Sequence, residues 1–190
     1  MTREEVLDLI ARCTKKKEAF LFIGNGYNAR TMCALHDYDG FFYMVGSMGL
    51  CPTLAAGFSH STGQPVVTVE GDGNALMGMS GYPVVVNAAK GMFVHIVLDN
   101  GLYYTTGGQK TLSSVVDFGL VALGAGYDRV YSPESLEALE AALMTALNSE
   151  QKSYIVVRTV EKERVVHPRV KYQPVEIRDR FQETVRQRLY

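Results

Sequence analysis

The residues best suited to chemistry stand at the tip of an apolar run, "VVTVEGDGNAL", Val66 to Leu76, where Gly71-Asp72-Gly73-Asn74 follows a β-branched stretch. Turns use Asp-Gly, so one such tip would be only a turn. It has company. Gly24-Asn25-Gly26-Tyr27-Asn28 follows a first apolar block and Gly46-Ser47-Met48-Gly49 a second. Asp99-Asn100-Gly101 follows a fourth and runs through Leu102 into Tyr103-Tyr104-Thr105-Thr106-Gly107-Gly108-Gln109. Glycine lets backbone approach a ligand, and a following helix N-terminus offers N–H groups to an anion, so phosphate suits these loops. Asp72, however, has the sign of a phosphate, and the two repel unless a cation lies between them. Mg²⁺ takes octahedral oxygen ligands at about 2.0–2.1 Å. Asp72 offers a carboxylate, Asn100 an amide oxygen, and the turn after Asn100 a backbone carbonyl, leaving positions for diphosphate oxygens and water. Neither common nucleotide pattern is met: there is no GxxxxGK[ST], and "GNGYNA" fails GxGxxG at its last glycine.

Elements must carry these loops to one place. The spacing predicts strands over Ala19–Ile23, Phe41–Val45, Pro65–Val69, Phe93–Leu98, Arg129–Tyr131 and Tyr154–Val160. Most are continuous apolar blocks, as in strands covered on both faces of a parallel sheet. Glu4–Cys13 reads as a helix, with Val6, Leu7, Leu9 and Ile10 mainly on one side. Pro133–Leu147 reads as another, with Ser132 as its N-cap, Glu134 in its first turn and Leu136, Leu139, Leu143 and Leu147 repeating. Ser80 is expected to cap a helix that holds Pro83 in its first turn. The fold class expected is α/β, a doubly wound, mainly parallel sheet with helices on both faces, where ligands sit beyond the carboxyl ends of the strands. One domain is expected over 1–160. From Glu161 a polar tail with Pro168 and Pro174 leads to a possible helix, Val175–Leu189.

The 190 residues suffice for one sizeable core. A formal net charge of -1 argues against nucleic acid or an anionic membrane as partner. Lys15-Lys16-Lys17 falls at a helix end, where it answers the helix dipole. The three cysteines, Cys13, Cys33 and Cys51, lie far apart with no metal-ligand spacing, which suits reduced thiols. The opening "MTREEVLDLI" is charged at once, unlike a secretory leader, and no apolar run reaches the roughly 18 residues of a membrane span. A cytoplasmic protein is expected. His95 lies inside a strand and reads as a satisfied core residue; His36, His60 and His167 read as surface or packing residues. Arg30 either reaches an anion or caps its helix. Gly107 and Gly108 read as a mobile loop over the site.

Gly71-Asp72-Gly73, then 25 residues (74–98), then Asp99-Asn100 resembles the thiamine-diphosphate motif, GDG followed at such a distance by two asparagines; Asp99 replaces the first. Gly46-Ser47-Met48-Gly49 resembles the segment that sets a bulky apolar side chain under the cofactor. "GYNAR", "FFYMVGSMG" and "LDNGLYYTTGGQ" are similar to the sulfopyruvate and phosphonopyruvate decarboxylases, and the resemblance runs from about Ala19 to Val160. It implies the pyrophosphate-binding half of a thiamine-diphosphate-dependent 2-oxo acid decarboxylase. Asp72 and Asn100 would ligate Mg²⁺ by side chain and Leu102 by carbonyl. Gly71, Gly73 and Asn74 would face the diphosphate, with Asn25, Gly26 and Asn28 adding contacts. Ser47 would lie against the cofactor, Met48 would be the wedge that bends it, and the Gly46 carbonyl would accept from its 4′-amino group. Tyr103 and Tyr104 would cover the cofactor or touch the substrate, or serve structure alone.

The family's activating glutamate lies on a pyrimidine-binding half, and no candidate stands here; Glu70 is on the wrong side of the motif. The resemblance therefore implies a hetero-oligomer with a pyrimidine-binding α subunit that carries that Glu, and a small anionic 2-oxo acid as substrate. Two substrates stay open: sulfopyruvate, giving sulfoacetaldehyde and CO2, and phosphonopyruvate, giving phosphonoacetaldehyde. A reading from another class is a non-catalytic module that binds a diphosphate ligand and regulates or scaffolds.

Overall fold

The structure is a computed structural model that describes residues 1–160 and 166–189. Helix α1 (Arg3–Lys16) starts where Thr2 and Glu5 form a reciprocal capping box and ends in Lys15 and Lys16. It buries Val6, Leu7, Leu9 and Ile10. Strand β1 (Phe20–Ile23), α2 (Tyr27–His36), β2 (Phe41–Tyr43), α3 (Cys51–Thr62) and β3 (Val66–Gly71) follow. Then come α4 (Asp72–Gly78), a 3₁₀ turn at Met79–Gly81, α5 (Tyr82–Ala88) and β4 (Phe93–Asp99). A short ribbon of β5 (Leu102–Tyr103) and β6 (Gln109–Lys110) precedes α6 (Phe118–Ala125), β7 (Arg129–Tyr131), α7 (Leu136–Leu147), β8 (Lys152–Arg158) and α8 (Pro174–Leu189).

The main sheet has the order β2-β1-β3-β4-β8-β7, all parallel. The expected doubly wound sheet is there, and the chain reverses its winding between β1 and β3. Side chains alternate across each strand. Leu21, Ile23, Val67, Val69, Val94 and Ile96 join α1, α2 and α7 in one core. Phe20, Phe22, Val66, Phe93, Val97 and Tyr154 join α3, α5 and α6 in the other.

Every predicted strand forms, within two residues at each end. Two cap assignments are corrected. Ser135, not Ser132, caps α7: its hydroxyl accepts from Ala138 N at 3.1 Å, and Glu137, not Glu134, lies in the first turn. A side chain that bonds back to its own helix holds its backbone extended (φ -137°, ψ 165°), so the helix begins there. Ser80 does not cap α5, because it lies inside the 3₁₀ turn; Gly81 precedes the helix and Pro83 is in the tolerated first turn.

The tail helix α8 covers the domain's own flank. Phe181 inserts its ring 5.1–5.3 Å from those of Phe20, Phe22, Phe42 and Phe58. Asp37 anchors the approach to it: Tyr172 and Tyr43 donate to its carboxylate, and Lys171 and Arg180 stand beside it. Burial alone would raise the Asp37 carboxyl, but these partners hold it below the usual range. The proposed boundary at 160/161 meets residues 161–165, which lie outside the described residues.

Candidate functional site

A cleft opens at the carboxyl edge beside the β1/β3 reversal, where doubly wound sheets bind ligands. It is lined by Asn25, Gly26 and Asn28 after β1, Gly71, Asp72, Gly73 and Asn74 after β3, Asn100 after β4, Leu102, Tyr103 and Tyr104 from the ribbon, and Met48. Twelve of the fourteen residues singled out in the sequence therefore share one wall. The other two do not. Gly46 is absent from the lining, and Ser47 faces a neighbouring groove with Phe22, Phe42 and Leu50.

The turn explains this difference. Ser47 is held at φ +56° and Gly49 at +84°, the left-handed region that L side chains avoid. The twist sends successive residues apart, and Met48 alone turns toward the cleft. Close backbone contact pins the turn to α4: a Cβ on Gly78 would lie 2.1 Å from Gly49 O. Gly73 is bare for a similar reason, since a Cβ there would meet Tyr103 Cε1 at 2.4 Å and Met48 Cε at 3.1 Å.

Asp72 is 2 % exposed. Thr111 Oγ1 donates to its Oδ2, and no Lys or Arg pairs with it among the described residues. Burial raises its carboxyl above the usual range, and Asp99 raises it further, against the Thr111 hydrogen bond. An isolated buried carboxylate is costly unless a cation compensates it. Asn100 stands in the same lining; its Oδ1 accepts from Leu102 N at 2.9 Å, which fixes the loop between them. The donor set of carboxylate, amide and backbone carbonyl consists of hard oxygens and fits Mg²⁺ rather than a soft metal. Asn25 adds a buried Oδ1 with no hydrogen-bond partner.

Asp99 departs from the asparagine of the motif, and the structure supplies a counter-charge. Its Oδ1 accepts from Gly101 N at 3.0 Å, and its Oδ2 lies 2.8 Å from Arg158 Nη1 at the paired end of β8. Glu70, two residues before Asp72, points into the opposite core. Its Oε1 lies 3.0 Å from His95 Nε2, and His95 Nδ1 lies 2.8 Å from Tyr127 OH. His95 is thus the satisfied core residue expected.

Sequence reasoning missed Arg3, Leu98 and Thr159, which also line the cleft, and Thr111 behind Asp72. Arg3 arrives because Val160 N donates to Met1 O at 2.9 Å, tying the chain start to the end of β8. No periodicity carries such a long-range contact. The open volume of the cleft is about 70 Å³, below the roughly 300–1,000 Å³ of a pocket that encloses a small organic ligand.

Residues 29–157 match the family model described as thiamine pyrophosphate enzyme, C-terminal TPP binding domain. A phosphonopyruvate decarboxylase of Streptomyces hygroscopicus is 41% identical over 158 residues, 83% of this chain and 39% of that protein. The chain thus spans about two-fifths of the length of that relative. A sulfopyruvate decarboxylase subunit beta of Methanothermobacter thermautotrophicus is 33% identical over 141 residues, 74% of this chain and 76% of that one. Among solved structures, benzoylformate decarboxylase from Polynucleobacter necessarius superposes with a TM-score of 0.70 at 21% identity, over 85% of this chain and 33% of that one. That last likeness speaks to fold alone.

Proposed function

The chain belongs to the thiamine pyrophosphate enzymes through their C-terminal TPP-binding domain, and from that premise we propose that it is the diphosphate-binding β subunit of a decarboxylase acting on sulfopyruvate. The products are sulfoacetaldehyde and CO2. The observation that carries the reading is Asp72: a buried carboxylate with no basic partner among the described residues, in one cleft with Asn100 and Leu102. Asp72 and Asn100 hold Mg²⁺ by side chain, and Leu102 holds it by carbonyl. Gly71, Gly73 and Asn74 meet the diphosphate, with Asn25, Gly26 and Asn28 opposite. Met48 would stand under the cofactor and help set its conformation, a positioning effect. Ser47 and the Gly46 carbonyl are proposed to meet the cofactor from the mouth of the cleft. Tyr103 and Tyr104 form its wall. When bound, thiamine diphosphate supplies the carbanion and the electron sink that 2-oxo acid decarboxylation needs.

A partner completes the site. Asp72 is the one acid that lines the cleft among the described residues, and Glu70 is locked to His95. Neither is free to serve as an activating glutamate, and the cleft is too small to enclose the whole cofactor. We assign that glutamate to a pyrimidine-binding α subunit. Cys13, Cys33 and Cys51 are buried and unpaired, which supports a cytoplasmic setting; no helix among the described residues is long and apolar enough to cross a membrane.

The test is to purify the chain with whatever copurifies, add thiamine diphosphate and Mg²⁺, and follow CO2 release. Sulfopyruvate should turn over only with the partner present. Full turnover by the chain alone would sink the partner assignment. The 41% identity to a phosphonopyruvate decarboxylase favours a second reading, in which phosphonopyruvate is preferred and phosphonoacetaldehyde released. Mg²⁺-dependent cofactor binding with no turnover of either acid would favour the non-catalytic module instead.

A further inference from the structure

A second pocket, of about 440 Å³, adjoins the cleft and shares Asn25, Gly26 and Thr105 with it. Arg30 of α2 lines it, as do Arg169, Val170, Tyr172, Gln173 and Pro174 of the tail. The tail is held there by Tyr172, which donates to Asp37, and by Arg180, which pairs with Asp37 and with Asp39. Among the described residues, no acidic side chain lines the pocket. Arg30 stacks on the Tyr27 ring, 5.1 Å from its centroid, and the guanidinium of neither Arg30 nor Arg169 has a carboxylate or hydrogen-bond partner among the described residues.

Two arginines without acid partners among the described residues line this one pocket, whereas Arg12, Arg158, Arg178, Arg180 and Arg186 all meet acids. Guanidinium offers a planar fork of donors that matches tetrahedral oxyanions. A concave site lined by two such groups, with no acid among the described lining residues, concentrates an anion. From this geometry we infer that Arg30 and Arg169 form the subsite for the substrate's second anionic group, the sulfonate or phosphonate on the carbon next to the ketone. The inference rests on the proposed reaction and adds the residues that set its specificity. It also gives the tail a part in selection: the tail brings Arg169 to the site, and the Asp37 anchor fixes where it sits.

The same chemistry has another source, the terminal phosphate of thiamine diphosphate, and the test separates the two. The protein is purified from its host with any chain that copurifies, then loaded with thiamine diphosphate and Mg²⁺. Calorimetry measures binding of phosphonoacetate and sulfoacetate, with acetate as control, to wild type, Arg30→Gln and Arg169→Gln. Affinity for at least one tetrahedral anion should fall at least tenfold in each variant. The Kd of thiamine diphosphate should change less than threefold. In turnover, the ratio of kcat/KM for sulfopyruvate or phosphonopyruvate to that for pyruvate should fall at least tenfold, with Arg30→Lys recovering part of it.

Wild-type protein that binds neither tetrahedral anion overturns the subsite. So do variants that lose thiamine diphosphate affinity while keeping phosphonoacetate affinity, which would assign the pair to the cofactor. Normal turnover with an unchanged substrate ratio overturns the subsite and leaves the decarboxylase standing. Arginine-dependent anion binding with no turnover of any 2-oxo acid does the reverse.

Discussion

Glu70 and Asp72 are two residues apart, both acids, both almost fully buried, and they lead opposite lives. Glu70, next to last in its strand, faces the α3/α5 core, where His95 meets it at 3.0 Å and Tyr127 closes the chain. Burial pushes its carboxyl up, and His95 opposes that shift. Asp72 opens α4 toward the cleft, with a hydroxyl for a partner and a second acid, Asp99, making its charge harder to hold. A buried acid beside a base has a partner within the fold, even though Glu70 Oε2 lacks a hydrogen-bond partner among the described residues. One that lacks a base is costly to keep charged unless a cation compensates it. Burial alone does not distinguish the two; the partner does.

Removing the base should have the larger effect. His95→Ala leaves Glu70 buried without its partner and opens a cavity among Tyr82, Tyr127 and Tyr154, whose rings surround the imidazole. Breaking a buried pair typically costs about 3–5 kcal/mol. Denaturant unfolding should show a loss of at least about 3 kcal/mol, with thiamine diphosphate affinity changed less than threefold where the variant is folded. A large loss of affinity with unchanged stability would mean that Glu70 and His95 belong to the site after all.

At Asp72 the outcome should invert. Asp72→Asn keeps the shape and removes an unpaired charge, so the apo chain should melt at the same temperature or higher. Binding of thiamine diphosphate in Mg²⁺ should weaken at least about 100-fold, roughly 2.7 kcal/mol, because changing even the outer partners of metal ligands costs about 10–100-fold. Calorimetry with and without Mg²⁺ reads both halves. If Asp72→Asn instead unfolded the chain and spared Mg²⁺-dependent binding, the contrast with Glu70 would collapse.

Acid should do reversibly what that substitution does permanently. The Asp72 carboxyl is raised in the folded apo chain. Its contribution to apo stability is therefore present below the unfolded carboxyl's range and is lost as pH rises through the raised value. Metal binding needs the ionised form. Affinity for Mg²⁺ should hold above the raised value and fall below it, approaching tenfold per pH unit, and the fall should begin at a higher pH than an ordinary aspartate would give. Asp72→Asn should lack this pH dependence.

Much of this was legible in the sequence, for a physical reason. Strands buried on both faces are apolar throughout, so their ends are sharp, and in a parallel sheet the loops after them share an edge. The pattern alone therefore puts Asn25, Asp72, Asn100 and Tyr103 on one edge. The division of labour between Glu70 and Asp72 was harder to read. It depends on His95, 25 residues away, and on whether an arginine reaches Asp72, and neither follows from local pattern. Arg3 reaches the cleft and Arg169 the pocket beside it through the chain's two ends, by way of Met1 beside Val160 and Tyr172 on Asp37. Ser47 shows the limit from the other side: its place in the motif was legible, but its left-handed turn away from the cleft was not.

Asp99 is intermediate between the two acids, and it gives the finest test. Like Glu70 it is buried and has a base; like Asp72 it belongs to the motif, and its base, Arg158, is 71% exposed on the side chain. Solvent screens such a pair, so its worth is under about 1 kcal/mol. Asp99→Asn restores the amide of the family motif, and its Oδ1 can still accept from Gly101 N. Two small effects should oppose each other. The chain loses the Arg158 attraction, and Asp72 loses the neighbour that raises its carboxyl. Stability at neutral pH should therefore move by less than about 1 kcal/mol, while the pH at which Mg²⁺ affinity begins to fall moves lower. A titration of Mg²⁺ affinity on Asp99→Asn against wild type reads that displacement directly. An unmoved titration would mean that Asp99 is coupled to Arg158 alone, and that the departure from the motif has no bearing on the metal.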